Sequence, residues 1–293
     1  MPHKKRRSRI SLVFYAMVVP LAILFFIMHT WPFLQGVFYS FTDWKGYGSW
    51  AFVGFKNYTQ MFRDPKISQS YLFTFQLAIC ATILVNVLAM AVASGLNARI
   101  KFKNFLKAIY FLPYMLGTLI ISYVFKYIFS NVLPAWGKAL GIDALSTNIL
   151  GTNNAWLAVL FVTTWQSLAF NTVIYLAGLQ SVDQDVYEAA ELDGCTGLKR
   201  FLRITFPLIA PFFTINMVLC ARNYLMAFDQ IIALTNGGPG TQTQTIAVLI
   251  YKRGFNGNQF AYQSANAVIL FVVVVAISGF QLRVLESREK KYE

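Results

Sequence analysis

The chain has 293 residues, 57% hydrophobic and only 13% charged, with a formal net charge of +13 and a mean hydropathy of +0.52. A soluble domain carries about twice that share of charge. Several runs of about 20 residues hold no charge or one, as a hydrocarbon core of ~30 Å demands. A large soluble protein is therefore excluded on run length. Nucleic acid is excluded as a partner because the Lys and Arg residues cluster in the loops between apolar runs.

The reading is an all-α integral membrane protein with six spans, near residues 11–34, 72–96, 105–129, 155–178, 207–232 and 263–285. Unpaired backbone amides are not tolerated in lipid, so helices are the natural form for such runs. The alternation of a membrane β-barrel is missing. The basic tail 1–10 precedes a first apolar run too long for a signal peptide and followed by no small-residue cleavage site, so the first span is expected to be retained. With that tail inside, the inner segments are the tail, 97–104, 179–206 and the end of the chain. Counted with Lys107 and Arg283 just at the span ends, they gather more than twice as many Lys and Arg as the outer segments, where Lys45, Lys56, Arg63, Lys66, Lys138, Lys252 and Arg253 fall. The positive-inside rule then places both termini in the cytoplasm.

The outer loops are rich in Trp, Tyr, Gly and Asn, which suits an interfacial belt. Gly237, Gly238, Pro239 and Gly240 mark a tight turn beyond the fifth span. Ala91 and Gly95, four apart in the second span, offer a close-packing pair. Cys80, Cys195 and Cys220 form neither a disulfide framework nor a metal set.

Between the fourth and fifth spans lies a polar segment, 181–206. "DVYEAAEL" reads as a short helix capped by Asp183 or Asp185. Gly194 turns the chain, and "TGLKRFLRITF" reads as a second helix with Thr196 as a cap. In that second helix Leu198, Phe201, Leu202 and Thr205 fall near one face and Lys199, Arg200 and Arg203 on the other. A connector lying on anionic head groups would account for the basic helix. The first helix is acidic (Asp183, Asp185, Glu188, Glu191, Asp193) and is better suited to a groove on a cytoplasmic protein. "GCTGLK" lacks the spacing and ending of a phosphate loop.

Glu188, Ala189, Ala190, Gly194, Ile204 and Pro207 stand at the spacing of the EAA loop, so the segment resembles that of binding-protein-dependent ABC importer permeases. "LTNGGPG", "IYKRGF" and the closing "QLR" are similar to the MalF-like half of the sugar-permease branch. The resemblance covers nearly the whole chain. It departs at the amino end, where the leading spans and large extracellular domain of the maltose-system protein are lacking; the chain is similar to the shorter six-span form.

The resemblance implies a type I importer permease fold and a transporter subunit rather than an enzyme, in a bacterial cell membrane. It implies a second homologous, MalG-like permease, two ABC ATPase subunits that bind ATP–Mg, and an extracellular or periplasmic solute-binding protein that delivers a sugar or oligosaccharide. This chain itself would hold no cofactor and no metal. The segment between spans 4 and 5 would be the coupling helix. There Glu188 would make a charge-assisted contact with the ATPase. Tyr187, Ala189, Ala190 and Leu192 would fill its cleft, and Asp193 and Gly194 would form the turn.

A sugar route through the lipid bilayer needs polar groups facing the bundle interior. Thr163, Gln166, Ser167 and Phe170 share a face of the fourth span, with Asn171 beside them; Asn216, Asn223 and, one step round, Tyr224 make a second stripe in the fifth. Thr163, Gln166, Phe170, Asn223 and Tyr224 are the expected lining, against the alternative that such groups merely join helices. Asn86 is read as such a joint. A secondary transporter would require inverted repeats with broken helices, and neither is legible. A membrane-embedded enzyme would require intramembrane catalytic groups, and none is found.

Overall fold

The computed structural model describes residues 8–98 and 101–289. Lys4, Lys5, Arg6, Arg7, Arg99, Lys290 and Lys291, which contribute to the orientation reading, lie outside the described residues. The described residues are helical apart from short loops and a single antiparallel bridge between Thr42 and Phe52. They divide into two compact units, residues up to Arg63 with Ile250–Ile269, and Asp64–Leu249 with the residues from Leu270 on.

In the first unit, helix α1 covers residues 8–39, with a π-helical turn at Phe26–Thr30. Its apolar side chains from Phe14 to Leu34 are all exposed, as expected of a lipid-facing span. Helix α2, Lys56–Met61, follows the bridge. The buried Asn57 amide holds the loop by donating to the carbonyls of Ser40 at 2.8 Å and Thr42 at 2.7 Å. Beside it Tyr39 stacks on Trp44 at 4.1 Å, and Phe260 meets Trp44 edge-on at 5.0 Å.

The second unit is built on α3, Pro65–Asn97, which starts at an Asp64 cap that accepts from the Lys66 amide at 2.9 Å. Ala81, Val85, Ala89 and Ala93 recur every fourth residue of α3 and are fully buried. This stripe of small side chains lets α6, Ala155–Ser181, and α9, Ala210–Leu225, approach closely. The Ala91–Gly95 pair expected to do so is on the exposed face, and nothing lies within 4 Å of where a Cβ on Gly95 would be. Close approach occurs instead at Gly178 of α6, where a Cβ would lie 2.7 Å from the Phe212 ring.

The third span is not one helix over 105–129. Helix α4 is Lys103–Met115 and α5 is Thr118–Leu140, with an extended break at Leu116 and Gly117. Pro113 lacks the N–H that would bond back to Ile109, and its ring crowds the preceding turn, so α4 ends two residues later. The long apolar helix thus lies further along the chain than expected.

The fifth span is also interrupted. Helices α7, Gln184–Leu192, and α8, Gly197–Leu208, form the polar segment. Helix α8 meets α9 at an angle of 74° about the buried Ile209. Pro211 opens α9, where a missing N–H is harmless. Beyond Met226–Phe228 a short α10, Asp229–Leu234, continues, then α11 at residues 246–256 and α12, Phe260–Glu289. Breaks in helices, not legible in the sequence, are therefore present. Among the described residues five helices are long and apolar enough to cross a membrane, or six if the bent pair is one span.

Candidate functional site

Two sites stand on α6, one at its middle and one past its end. At the end, the Asp183 carboxylate accepts the Asp185 amide at 3.2 Å and caps α7. At the other end of α7 the Cys195 N–H donates to the Ala190 carbonyl at 2.8 Å and the Gly194 N–H to the Glu191 carbonyl at 3.0 Å. That pair of bonds is a Schellman motif, and it requires the left-handed backbone that Gly194 supplies at φ +70°. The elbow between α7 and α8 is therefore fixed by hydrogen bonds rather than slack. Thr196 precedes α8 without a side-chain capping bond, contrary to expectation.

The expected coupling residues separate into two groups. Glu188, Ala189, Leu192, Asp193 and Gly194 are exposed, and Leu192 is 90% exposed at the tip. Ala190 turns inward and is buried, while Tyr187 is half-buried beneath the Arg200 guanidinium, 5.3 Å from the ring centroid. A cleft-filling role for Ala190 does not fit this placement. Of the four side chains expected near one face of α8, Thr205 is buried, Phe201 is half-buried, and Leu198 and Leu202 are exposed.

At the middle of α6, the break between α4 and α5 opens a cleft of about 400 Å³. It is lined by Tyr114, Leu116, Gly117, Thr118, Gln166, Ser167 and Gln230, among others. The Gln166 amide donates to the Thr118 hydroxyl at 3.2 Å and the Leu116 carbonyl at 3.5 Å. Its carbonyl oxygen has no partner among the described residues, nor does the buried Thr163 hydroxyl three residues earlier. One turn along α6, Phe170 stacks on Tyr114 with centroids 5.3 Å apart. The cleft thus combines amides, hydroxyls and an aromatic face.

The second stripe does not line it, although the Tyr224 hydroxyl is hydrogen-bonded to Ser167 of the lining. Tyr224 is buried against Ala78, Ala81, Val85 and Cys220, and Asn223 is exposed on α9. Asn216 is fully buried and donates to the Asn171 backbone carbonyl at 3.1 Å; the Cys220 thiol donates to the Asn171 side chain at 3.1 Å; Tyr175 donates to Asn86. These bonds join α3, α6 and α9, as expected for Asn86. Tyr114, Thr118 and Gln230 were not expected in the lining. A Pro–Gly pair four residues apart inside an apolar run, Pro113 and Gly117, was the signal for the first two.

Residues 86–291 match the family described as "Binding-protein-dependent transport system inner membrane component". The chain is 38% identical over 279 residues to the multiple sugar-binding transport system permease protein MsmF of Streptococcus mutans, with 94% of each chain covered. To the probable starch degradation products transport system permease protein AmyD of Thermoanaerobacterium thermosulfurigenes it is 32% identical, with 99% of each covered. In fold it is similar to a chain of a bacterial ABC transporter involved in the import of the acidic polysaccharide alginate. That similarity has a TM-score of 0.83 at 22% identity and covers 94% of this chain and 96% of that one. The chain accordingly belongs to the binding-protein-dependent transport system inner membrane components, a family of multi-pass ABC transporter permeases and not of enzymes.

Proposed function

We propose that the chain forms half of the translocation path of an ATP-driven carbohydrate importer. Its partners are a second homologous permease, two ATPase subunits that bind ATP–Mg, and an extracellular or periplasmic solute-binding protein. Both termini and the α7–α8 elbow face the cytoplasm. The relatives named for sugars and starch products, each covering nearly the whole chain, support a carbohydrate as the substrate class.

One observation carries the coupling: a single helix, α6, holds Gln166 in the cleft and runs into the Asp183-capped elbow. From Gln166 to Ser181 the rise is roughly 22 Å at 1.5 Å per residue. A rigid rod of that length converts displacement of the elbow into displacement of the cleft wall, which is how packed helices transmit switching motions. Glu188, Ala189 and Leu192 form the surface seated on the ATPase. Tyr187, Ala190, Asp193 and Gly194 hold that surface in position. In the cleft, Gln166, Ser167, Thr118 and Gln230 offer donors and acceptors to sugar hydroxyls, and the Tyr114–Phe170 stack offers a ring face. Thr163 supports the wall from behind. Asn223 faces out from α9 towards the path or the partner permease, and Tyr224 packs the bundle.

The test is uptake of a labelled sugar by the reconstituted transporter carrying Gln166→Ala. A raised half-saturation concentration with ATP hydrolysis still stimulated by the loaded binding protein supports the reading. Unchanged uptake removes Gln166 from the path.

A further inference from the structure

Two cavities adjoin at the base of the elbow and share Ser94, Gly197 and Phe201. The first, of about 580 Å³, is apolar and lies between α3 and the α8–α9 bend, walled by Val87, Met90, Ala91, Leu198, Phe206 and Phe213. The second, of about 410 Å³, is polar, with Asn97, Gln184 and Arg200 on its walls. Both volumes fall in the ~300–1,000 Å³ range of small-ligand sites. Along α3 the distance from Asn97 to Asn86 is roughly 16 Å at 1.5 Å per residue. Of that length the apolar cavity takes Asn86 to Ser94, roughly 12 Å or about two-fifths of a ~30 Å hydrocarbon core, and the polar one stands at its edge.

Continuity and charge select the occupant. Val87 and Leu198 are 61% and 73% exposed, so the apolar wall is open on its outer side. Arg200 lies in the polar cavity with its guanidinium over the Tyr187 ring, and Lys199 and Arg203 of the same helix are exposed close by. An occupant must join a long apolar tail to an anionic head at the depth of the leaflet boundary, and basic pockets at that depth recognise anionic lipid head groups. We propose that an anionic phospholipid of the cytoplasmic leaflet is bound here. One acyl chain lies in the groove between α3 and the α8–α9 bend, and the phosphate pairs with Arg200. The lipid then buttresses the elbow from the membrane side, through the residue that stacks on Tyr187. This inference rests on the cytoplasmic placement of the elbow proposed above.

The assembled transporter, in nanodiscs of neutral phosphatidylcholine, is exposed to a trace of phosphatidylglycerol carrying a diazirine on its acyl chain, or to phosphatidylcholine with the same chain. Labelled peptides are read by mass spectrometry. The expected result is labelling within 86–94 and 198–213 that favours phosphatidylglycerol about fivefold, the worth of one basic side chain near an anionic surface. Arg200→Gln removes the preference, and Ala91→Trp, which fills the groove, removes the labelling there by both lipids. Equal labelling by the two lipids, or labelling indifferent to Ala91→Trp, overturns the proposal. So does a photoreactive benzoylphenylalanine in place of Ala91 that captures the partner permease instead of lipid. Sugar-stimulated ATP hydrolysis by the same nanodiscs is recorded separately. Its absence also in nanodiscs made with phosphatidylglycerol counts against the importer reading, whereas the labelling needs no turnover.

Discussion

Gly178 and Phe212 meet so closely that a Cβ on the glycine would sit 2.7 Å from the ring. This is where α6 crosses the start of α9, directly beside the bend about Ile209. The contact ties the helix that enters the elbow to the helix that leaves it. Gly178→Val is expected to force the helices apart and destabilise the chain by about 1–3 kcal/mol, the usual cost of overpacking. Gly95→Ala, on the open face of α3, is expected to be neutral. Thermal unfolding of the purified permease, followed by tryptophan fluorescence, compares the two.

The elbow separates a surface role from a positioning role. Leu192→Asp alters an exposed side chain and should leave the melting temperature of the permease unchanged. It should weaken binding of the ATPase about thirtyfold, as the loss of one interface hot spot of about 2 kcal/mol does, and so reduce its co-purification. Gly194→Val places a β-branched residue at φ +70°, where the strain is about 1–2 kcal/mol, and should loosen the elbow as well as the assembly. An ATPase yield indifferent to Leu192→Asp would move the docking surface elsewhere.

Buried polar bonds between α3, α6 and α9 give the bundle its register. Tyr175→Phe deprives the Asn86 side chain of its donor in a fully buried place. Leaving such an acceptor unpaired costs about 1–3 kcal/mol in water-soluble cores, and bonds between membrane helices average about 0.6 kcal/mol. A loss of about 1 kcal/mol is expected, seen as a lower melting temperature with the uptake affinity for sugar unchanged.

Within the cleft, Gln230→Ala and Thr118→Val are each expected to weaken sugar uptake, because each removes a polar group from the lining. Tyr224→Phe is expected to leave the half-saturation concentration as it is. Concentration dependence of uptake in proteoliposomes distinguishes the three. A shift confined to Tyr224→Phe would reverse the assignment of the path.

Much of this organisation is legible in the residues. Runs such as 72–96 and 155–178 declare helices by length and apolarity alone, and Asp183 and Gly194 declare the ends of α7 by their local chemistry. What is not legible depends on direction. Hydropathy is a sum along the chain, so Pro113 and Gly117 do not lower it enough to reveal that one apolar run is two helices. Asn223 and Tyr224 read as one stripe, yet neighbours on a helix point about 100° apart, and one is exposed while the other is buried. Ala91 and Gly95 have the spacing of a packing seam, but the seam used is Ala81, Ala89 and Ala93. Only the position of the neighbouring helix decides between two such rows.

The central claim is that the α7–α8 elbow is the cytoplasmic contact for a separate motor. A transporter with Cys80, Cys195 and Cys220 replaced by Ser, and with Leu192→Cys added, tests it most directly. Membrane-impermeant maleimide is predicted to label the new thiol in inverted vesicles only, and the assembled ATPase is predicted to protect it. Labelling of intact cells from outside, or labelling that the ATPase does not affect, would contradict the account.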